Sequence, residues 1–468
     1  MISIDTTKVV KSKFVQSISN NNLAIIWHSL FGHPHVISLN LLDIINQLVV
    51  PVSLNDLISK YSSDKDIQSF IDLMRSKYFL ITEDCDERDI LQQALASREG
   101  GVFAGSMVNN FSLVISEACN FCCTYCIHFS NLGTSNRLQA PVKVMSTLVA
   151  EKATDAFVQI LRANGTNTAE INFGGGEPLL GWPTIVHVLE YCRQKYPDVK
   201  FNFSLNTNAS LLSSEIVQVL KEHQVRIASS LDGYQSANDK VRLSSTGQGT
   251  FTEITNGFKV LAREDYPIDG FTITMTEANF PFIGTDIIDW AANQGMVEIR
   301  LDVDVVHSVN IDIPSLAEKI FALKSYADSR GIFIHGFWSR PRENMDSSPL
   351  EVSVGFCGGI KGHSIVVNPS QEVYCCGYST TKLGSLDDLF TSEFFSKDQS
   401  YAQLIQSRTP GSMIECQGCM IEGQCSGGCQ ITQEFAKHSG ANTTRMCEFY
   451  RRMTTMLLAE DLSFEEVT

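Results

Sequence analysis

Short apolar runs of strand length recur along the chain, with helical patterns filling the gaps between them. Near the start, Phe14-Val15-Gln16-Ser17-Ile18 and Leu23-Ala24-Ile25-Ile26-Trp27-His28 read as strands, and Phe31-Gly32-His33-Pro34-His35 as the turn to a third. Leu41, Leu42, Ile44, Ile45 and Leu48 share one helical face, and Ser53 is placed to cap a segment bearing Leu54, Leu57 and Ile58. Asp66 to Met74 predicts a further helix before Tyr78-Phe79-Leu80-Ile81 returns to strand. That order predicts a winged-helix-like unit over residues 1–84. Residues 85–108 predict a linker with one amphipathic helix around Ile90 to Leu95 and a glycine-rich break.

From residue 109 to 350 the pattern changes to alternation. Strand-like runs at 112–116, 170–173, 200–205, 226–231, 270–275, 297–302 and 331–335 are separated by helical segments. Alternation of this kind predicts right-handed βαβ units and an α/β fold with a parallel sheet, open or curled into a barrel. Residues 351–468 turn rich in cysteine and glycine, and bound clusters, more than an apolar core, are expected to organise them. No internal repeat or low-complexity segment interrupts the series.

Length and charge narrow the function classes. A chain of 468 residues suggests two or three domains. Its 36 Lys+Arg against 52 Asp+Glu leave a net charge of −16, which repels phosphate backbones and anionic lipid surfaces. Residues 1–84 hold seven basic and eight acidic side chains, so the winged-helix-like unit lacks the basic footprint of a DNA binder. Met1 to Asp5 has no basic n-region, and no stretch approaches the ~18 unbroken apolar residues of a membrane span. A cytoplasmic protein without nucleic-acid or membrane partners is expected.

The 14 cysteines carry the chemistry. Cys119, Cys123 and Cys126 form a C-x3-C-x2-C run after the first strand of the βαβ region, and such a loop can hand three thiolates to an iron–sulfur cube, leaving one iron open. A zinc knuckle is the alternative, but zinc usually draws paired C-x2-C hooks from two loops, and no second hook lies near. Cys122 is a spare thiol, and Cys85 and Cys192 read as ordinary ones. In Phe173-Gly-Gly-Gly-Glu-Pro178, Gly175 and Gly176 admit a close backbone approach, and Glu177 offers an acceptor for an ammonium group. Asn206, Ser230 and Asp232 end later strands, where α/β sheets place their ligand contacts. Arg242 reads either as an anion contact or as a surface ion pair.

At the cysteine run the chain resembles the radical S-adenosylmethionine (SAM) enzymes. The resemblance implies a partial (β/α)6 TIM-like barrel whose three cysteines hold a 4Fe–4S cluster. Its open iron is chelated by SAM, which is split by one electron to a 5′-deoxyadenosyl radical. Tyr125 matches the aromatic residue beside the adenine. Gly175, Gly176 and Glu177 match the GGEP motif that binds the methionine amine, and Arg242 the arginine that meets the SAM carboxylate, although Asn238 replaces the usual His of that segment.

The later cysteines resemble the seven-cysteine SPASM domain, which carries two auxiliary 4Fe–4S clusters. The resemblance implies Cys357, Cys376 and Cys429 for the nearer one, and Cys416, Cys419, Cys425 and Cys447 for the farther. The fourth ligand of the nearer cluster is open among His363, Cys375, water and a substrate thiolate. Gln371 stands where the family usually has Gly, and Gly377 where some relatives carry a catalytic Asp, which leaves Tyr378, Asp302 and Asp304 as candidates for proton removal.

The first unit resembles the peptide-recognition element of enzymes that mature ribosomally made peptides. Together these resemblances imply an oxidoreductase-type peptide maturase that closes a thioether or carbon–carbon cross-link in a precursor peptide held by its leader, with flavodoxin or ferredoxin as electron donor. Activation of a sulfatase or a quinone-cofactor protein is the alternative. A non-catalytic iron–sulfur DNA-binding regulator is the rival of another class.

Overall fold

The computed structural model describes residues 7–61, 67–127, 143–307, 310–439 and 443–465. Asp66, the expected start of the third helix, lies outside them; that helix runs Ile67–Ser76.

The N-terminal unit is two small antiparallel sheets and three helices. β1 (Lys8–Lys11) pairs on either side with β5 (Val52–Ser53) and β6 (Leu80–Thr82), while β2 (Val15–Ser19), β3 (Leu23–His28) and β4 (Gly32–Ser38) form a meander. The Asn20 side chain accepts from the amides of Asn22 and Leu23 and so closes the first hairpin. Ser38 ends β4 and caps the helix Leu39–Gln47 by accepting from Leu41 N.

β3 shows how the unit is held. Ala24 and Ile26 pack into a core of its own with Val9, Ile45, Leu57, Met74 and Phe79, whereas Ile25 and Trp27 join the core of the rest of the molecule. Side chains alternate along a strand, so this one is buried on both faces and joins two bodies. The predicted linker is mostly the helix Glu87–Phe103, capped by Asp86, which accepts from Arg88 N and Asp89 N.

β7 (Asn110–Ser116), β8 (Thr168–Gly175), β9 (Lys200–Thr207) and β10 (Arg226–Ser229) run parallel, and a bridge from Ser230 to Thr272 leads to β11 (Gly270–Met275), β12 (Glu298–Val303) and β13 (Phe333–His335), again parallel. Between them lie the helices Thr147–Ala163, Trp182–Lys195, Ser214–Glu222, Phe251–Arg263, Asp286–Asn293 and Ile313–Ser329. This is the α/β partial barrel that the alternation and the resemblance imply.

Its other edge departs from expectation. β14 (Ser364–Val367) pairs parallel with β7, Ile365 opposite Phe111, and β15 (Glu372–Tyr374) and β16 (Gly384–Ser385) extend the same sheet antiparallel. The cysteine-rich region therefore continues the barrel sheet. It also has a substantial apolar core, because Phe356, Ile365, Val373, Leu386, Phe394, Tyr401 and Phe449 all pack into the main cluster. The region thus has an apolar core beside its cysteines, which the expectation of organisation by clusters did not include.

Candidate active site

The first cysteine loop lies across the C-terminal ends of the parallel strands and is pinned by main-chain bonds: Cys122 N donates to Leu243 O at 2.6 Å and Thr124 N to Val241 O at 2.9 Å. Its sulfurs are secluded. Burial pushes the Cys119 thiol up to about 11 and the Cys123 thiol up to about 12, and each feels Cys126. All 14 cysteines are free of disulfides. Among the described residues no three sulfurs lie within 4.8 Å of one another, so they do not form a ready-made site for a single tetrahedral ion. Bound iron would supply the positive charge that turns such buried thiols into thiolates.

Beside the loop, the glycines of β8 have a reason within the fold. A Cβ on Gly175, whose φ is +128°, would stand 2.2 Å from Ser116 O, and one on Gly176 would stand 2.3 Å from Ala118 O. The close approach they permit is to the end of β7, which lets Glu177 N donate to Ala118 O at 2.7 Å. Glu177 is wholly buried. Oε1 accepts from Leu179 N at 3.0 Å and Thr207 Oγ1 at 2.7 Å, and Oε2 from Asn208 N at 2.8 Å. Burial raises its pKa, against which these donors act. A carboxylate accepts about four hydrogen bonds, so one position on Oε2 is left for an ammonium group.

Arg242 is drawn inward and is no surface ion pair. Its Nε lies 2.9 Å from Asp232 Oδ2, and Asp232 also accepts from the Tyr125 hydroxyl at 2.5 Å and from Thr274 N at 2.7 Å. Burial alone would depress the guanidinium, but Asp232, with Tyr125 and Cys123 adding to it, holds its pKa above the ordinary value. Arg242 Nη1 comes within 4.0 Å of Cys123 Sγ. Tyr125, Asp232, Arg242 and Cys123 thus form one charged unit at the mouth. Asn206 is exposed at the end of β9, and half-buried Ser230 begins the bridge to β11.

The three candidates for proton removal fare differently. Asp302 accepts from Arg300 Nε and Phe337 N, both at 2.6 Å, and Asp304 is occupied by its own turn with Val306 N, His307 N and His307 Nδ1. Tyr378 is 45% exposed yet senses both Cys376 and Cys126, which puts its ring in the opening between the two cysteine regions. A phenol is protonated at neutral pH, so Tyr378 offers a proton there and does not take one.

The later thiols sense one another in two groups. Cys376 feels Cys429 and Cys357, and Cys429 feels Cys357. Cys425 feels Cys447, Cys416 and Cys419. Burial raises Cys416 and Cys429 to about 11 and Cys376 to about 12, while Cys375 turns into the apolar core and is raised further. Arg300, stacked on Phe337 at 4.3 Å, and Arg408, buried among the later thiols, had no motif to mark them in the sequence.

Residues 113–277, which carry the three-cysteine loop and the buried Glu177 at the strand ends of the barrel, match the radical SAM superfamily. The chain is an enzyme with a radical SAM domain over those residues. It is 24% identical over 442 residues to the radical SAM cyclopropyl synthase TigE of Paramaledivibacter caminithermalis, covering 91% of this chain and 90% of that one. To the serine-type anaerobic sulfatase-maturating enzyme of Klebsiella aerogenes it is 24% identical over 370 residues, 74% of this chain and 84% of the relative. Its fold is that of SuiB of Streptococcus suis, solved with its precursor peptide SuiA, at a TM-score of 0.51 and 14% identity over 90% of this chain and 96% of SuiB.

Proposed function

We propose that this enzyme is a maturase of ribosomally made peptides, installing a thioether or carbon–carbon cross-link in a precursor peptide. The observation that carries the reading is the N-terminal unit: β4 is an edge of its meander, and β3 ties that meander to the catalytic body. An edge strand can take up an extended leader through main-chain hydrogen bonds with little demand on sequence. SuiB, solved with its precursor peptide SuiA, supports a peptide substrate.

The division of labour we propose is residues 1–84 for the leader, 85–108 as linker, 109–350 as the SAM barrel and 351–468 as the auxiliary domain. When bound, SAM and the cluster on Cys119, Cys123 and Cys126 supply a carbon radical that removes a hydrogen atom. Glu177 would hold the SAM ammonium group, Arg242 would meet its carboxylate, and Tyr125 would lie beside the adenine. Asn206 and Ser230 contribute polar groups at the strand ends. Cys357, Cys376 and Cys429 would hold one auxiliary cluster, and Cys416, Cys419, Cys425 and Cys447 a second. A flavodoxin or ferredoxin in the cytoplasm would provide the electron.

Incubating anaerobically reconstituted enzyme with a short peptide encoded beside its gene should give a loss of about 2 Da per cross-link, the mass of two hydrogens in a group-joining oxidation. An unchanged peptide mass beside conversion of a folded sulfatase would favour the second reading, for which the Klebsiella relative speaks. Replacing Cys119, Cys123 and Cys126 with Ala should abolish 5′-deoxyadenosine and remove about four irons from a total of about twelve.

A further inference from the structure

Arg408 follows the helix Ser400–Ser407 and is 4% exposed. Its guanidinium donates from Nε and Nη2 to Ser426 O at 3.2 and 3.1 Å, from Nη2 to Gly428 O at 2.5 Å, and from Nη1 to Gln430 Oε1 at 2.5 Å. Every one of these acceptors is neutral. Among the described residues no carboxylate lies within 4.0 Å of it. A buried charge left without a counter-ion is strongly unfavourable, so some anion must answer this one.

The loop it grips explains which. Ser426, Gly427 and Gly428 run left-handed in succession, with φ of 47°, 78° and 74°. A left-handed non-glycine residue is costly, and Arg408 bonds the carbonyls on either side of Gly427, holding the run closed. Cys425 and Cys429 stand at its two ends, one in each thiol group. The guanidinium is within electrostatic reach of Cys429 and Cys357 in the nearer group and of Cys425 and Cys416 in the farther.

We propose that Arg408 is the shared counter-charge of the two auxiliary cysteine groups, a positioning residue that holds the Cys425–Cys429 loop and raises the reduction potential of both clusters. The proposal rests on the reading of two auxiliary clusters above. Reducing a cluster adds one negative charge, and a fixed positive charge beside it stabilises the reduced form. A single buried cation between two clusters acts on both at once, whereas a surface charge would be screened.

The test is a dithionite titration of anaerobically reconstituted full-length protein, followed by electron paramagnetic resonance with iron counted per chain. In Arg408→Gln both auxiliary potentials should fall by the equivalent of tenfold or more in the reduction equilibrium, about 59 mV for one electron, while the SAM cluster stays unchanged. Arg408→Lys keeps the charge and should stay near wild type. If Arg408→Gln cannot assemble the auxiliary clusters and Arg408→Lys can, the counter-charge is likewise upheld. Unchanged potentials in Arg408→Gln, or equal damage in both variants, overturn it. Wild-type protein holding only about four irons would instead refute the two-cluster reading, whatever Arg408 does.

Discussion

The indole Nε1 of Trp27 donates a 2.8 Å hydrogen bond to the carbonyl oxygen of Met420, between Cys419 and Cys425. Close by, Gly423 N donates to Ser29 O at 2.8 Å, Arg88 grips Glu422 at 2.8 and 3.1 Å, and a Cβ on Gly423 would stand 1.9 Å from Leu30 O. The N-terminal unit is therefore seated on the loop that presents the farther thiol group. A protein beginning near Asp86 should lose peptide affinity and, in addition, about four irons, the content of one cube. Iron content and peptide binding measured together check this, and full iron retention would show that the contact is dispensable to the loop.

Asp232 answers a buried cation, and its replacement separates charge from packing. Asp232→Asn leaves Arg242 without its counter-ion and should cost about 3–5 kcal/mol, with SAM binding lost alongside. Tyr125→Phe keeps the ion pair and removes one hydroxyl donor, at about 1 kcal/mol. Chemical denaturation of the two variants gives the comparison. Equal losses would mean that the pair at 2.9 Å contributes little to holding the mouth together.

What the sequence discloses follows from distance along the chain. Cys119, Cys123 and Cys126 lie within one turn-sized loop, so their spacing alone carries their chemistry, and Glu177 closes a strand by the same local logic. The parallel strands were legible because apolar runs and helical faces alternate at fixed intervals. The pairing of β14 with β7 was not, since Ile365 and Phe111 are far apart along the chain and are brought together only by the folded sheet. Arg408 was equally silent, because an arginine after a helix reads as a surface residue until the chain folds over it. β3 lay between these cases: its apolar run was evident, while its burial on both faces depends on a partner hundreds of residues away.

Gln371 occupies a left-handed turn with φ of 62°, between Asn368 O, which accepts from its amide, and Leu386 N, which donates to its carbonyl. An L-residue there costs roughly 1–2 kcal/mol, against which glycine loses roughly 0.5–1 kcal/mol through a freer unfolded chain. Gln371→Gly should therefore stabilise the hairpin by up to about 1 kcal/mol. The midpoint of denaturant unfolding checks it, and a lowered midpoint would show that the Gln371 side chain contributes more than its backbone conformation costs.

Acid should weaken the N-terminal unit before it reaches the carboxylates. His28 is fully buried, with Nδ1 accepting from Leu30 N at 3.2 Å and Phe31 N at 3.1 Å, which leaves the proton on Nε2 facing Glu87 at 3.0 Å. Burial lowers its pKa in spite of Glu87, because a second proton would have to displace the two amides from Nδ1. His33 is half-buried and pushed down to about 4 by burial, with Lys77 adding to the effect. Both groups bind protons more weakly folded than unfolded, where a histidine titrates near about 6.5. Stability is therefore complete above about 6.5 and falls as pH drops from there toward about 4, since the unfolded chain takes up the extra protons. His33 has φ of 58°, a conformation asparagine tolerates, so His33→Asn should keep the turn and reduce the pH dependence. Unfolding followed by Trp27 fluorescence near neutrality and near pH 5 reads both effects, and a slope unchanged in His33→Asn would assign the whole of it to His28 and other groups.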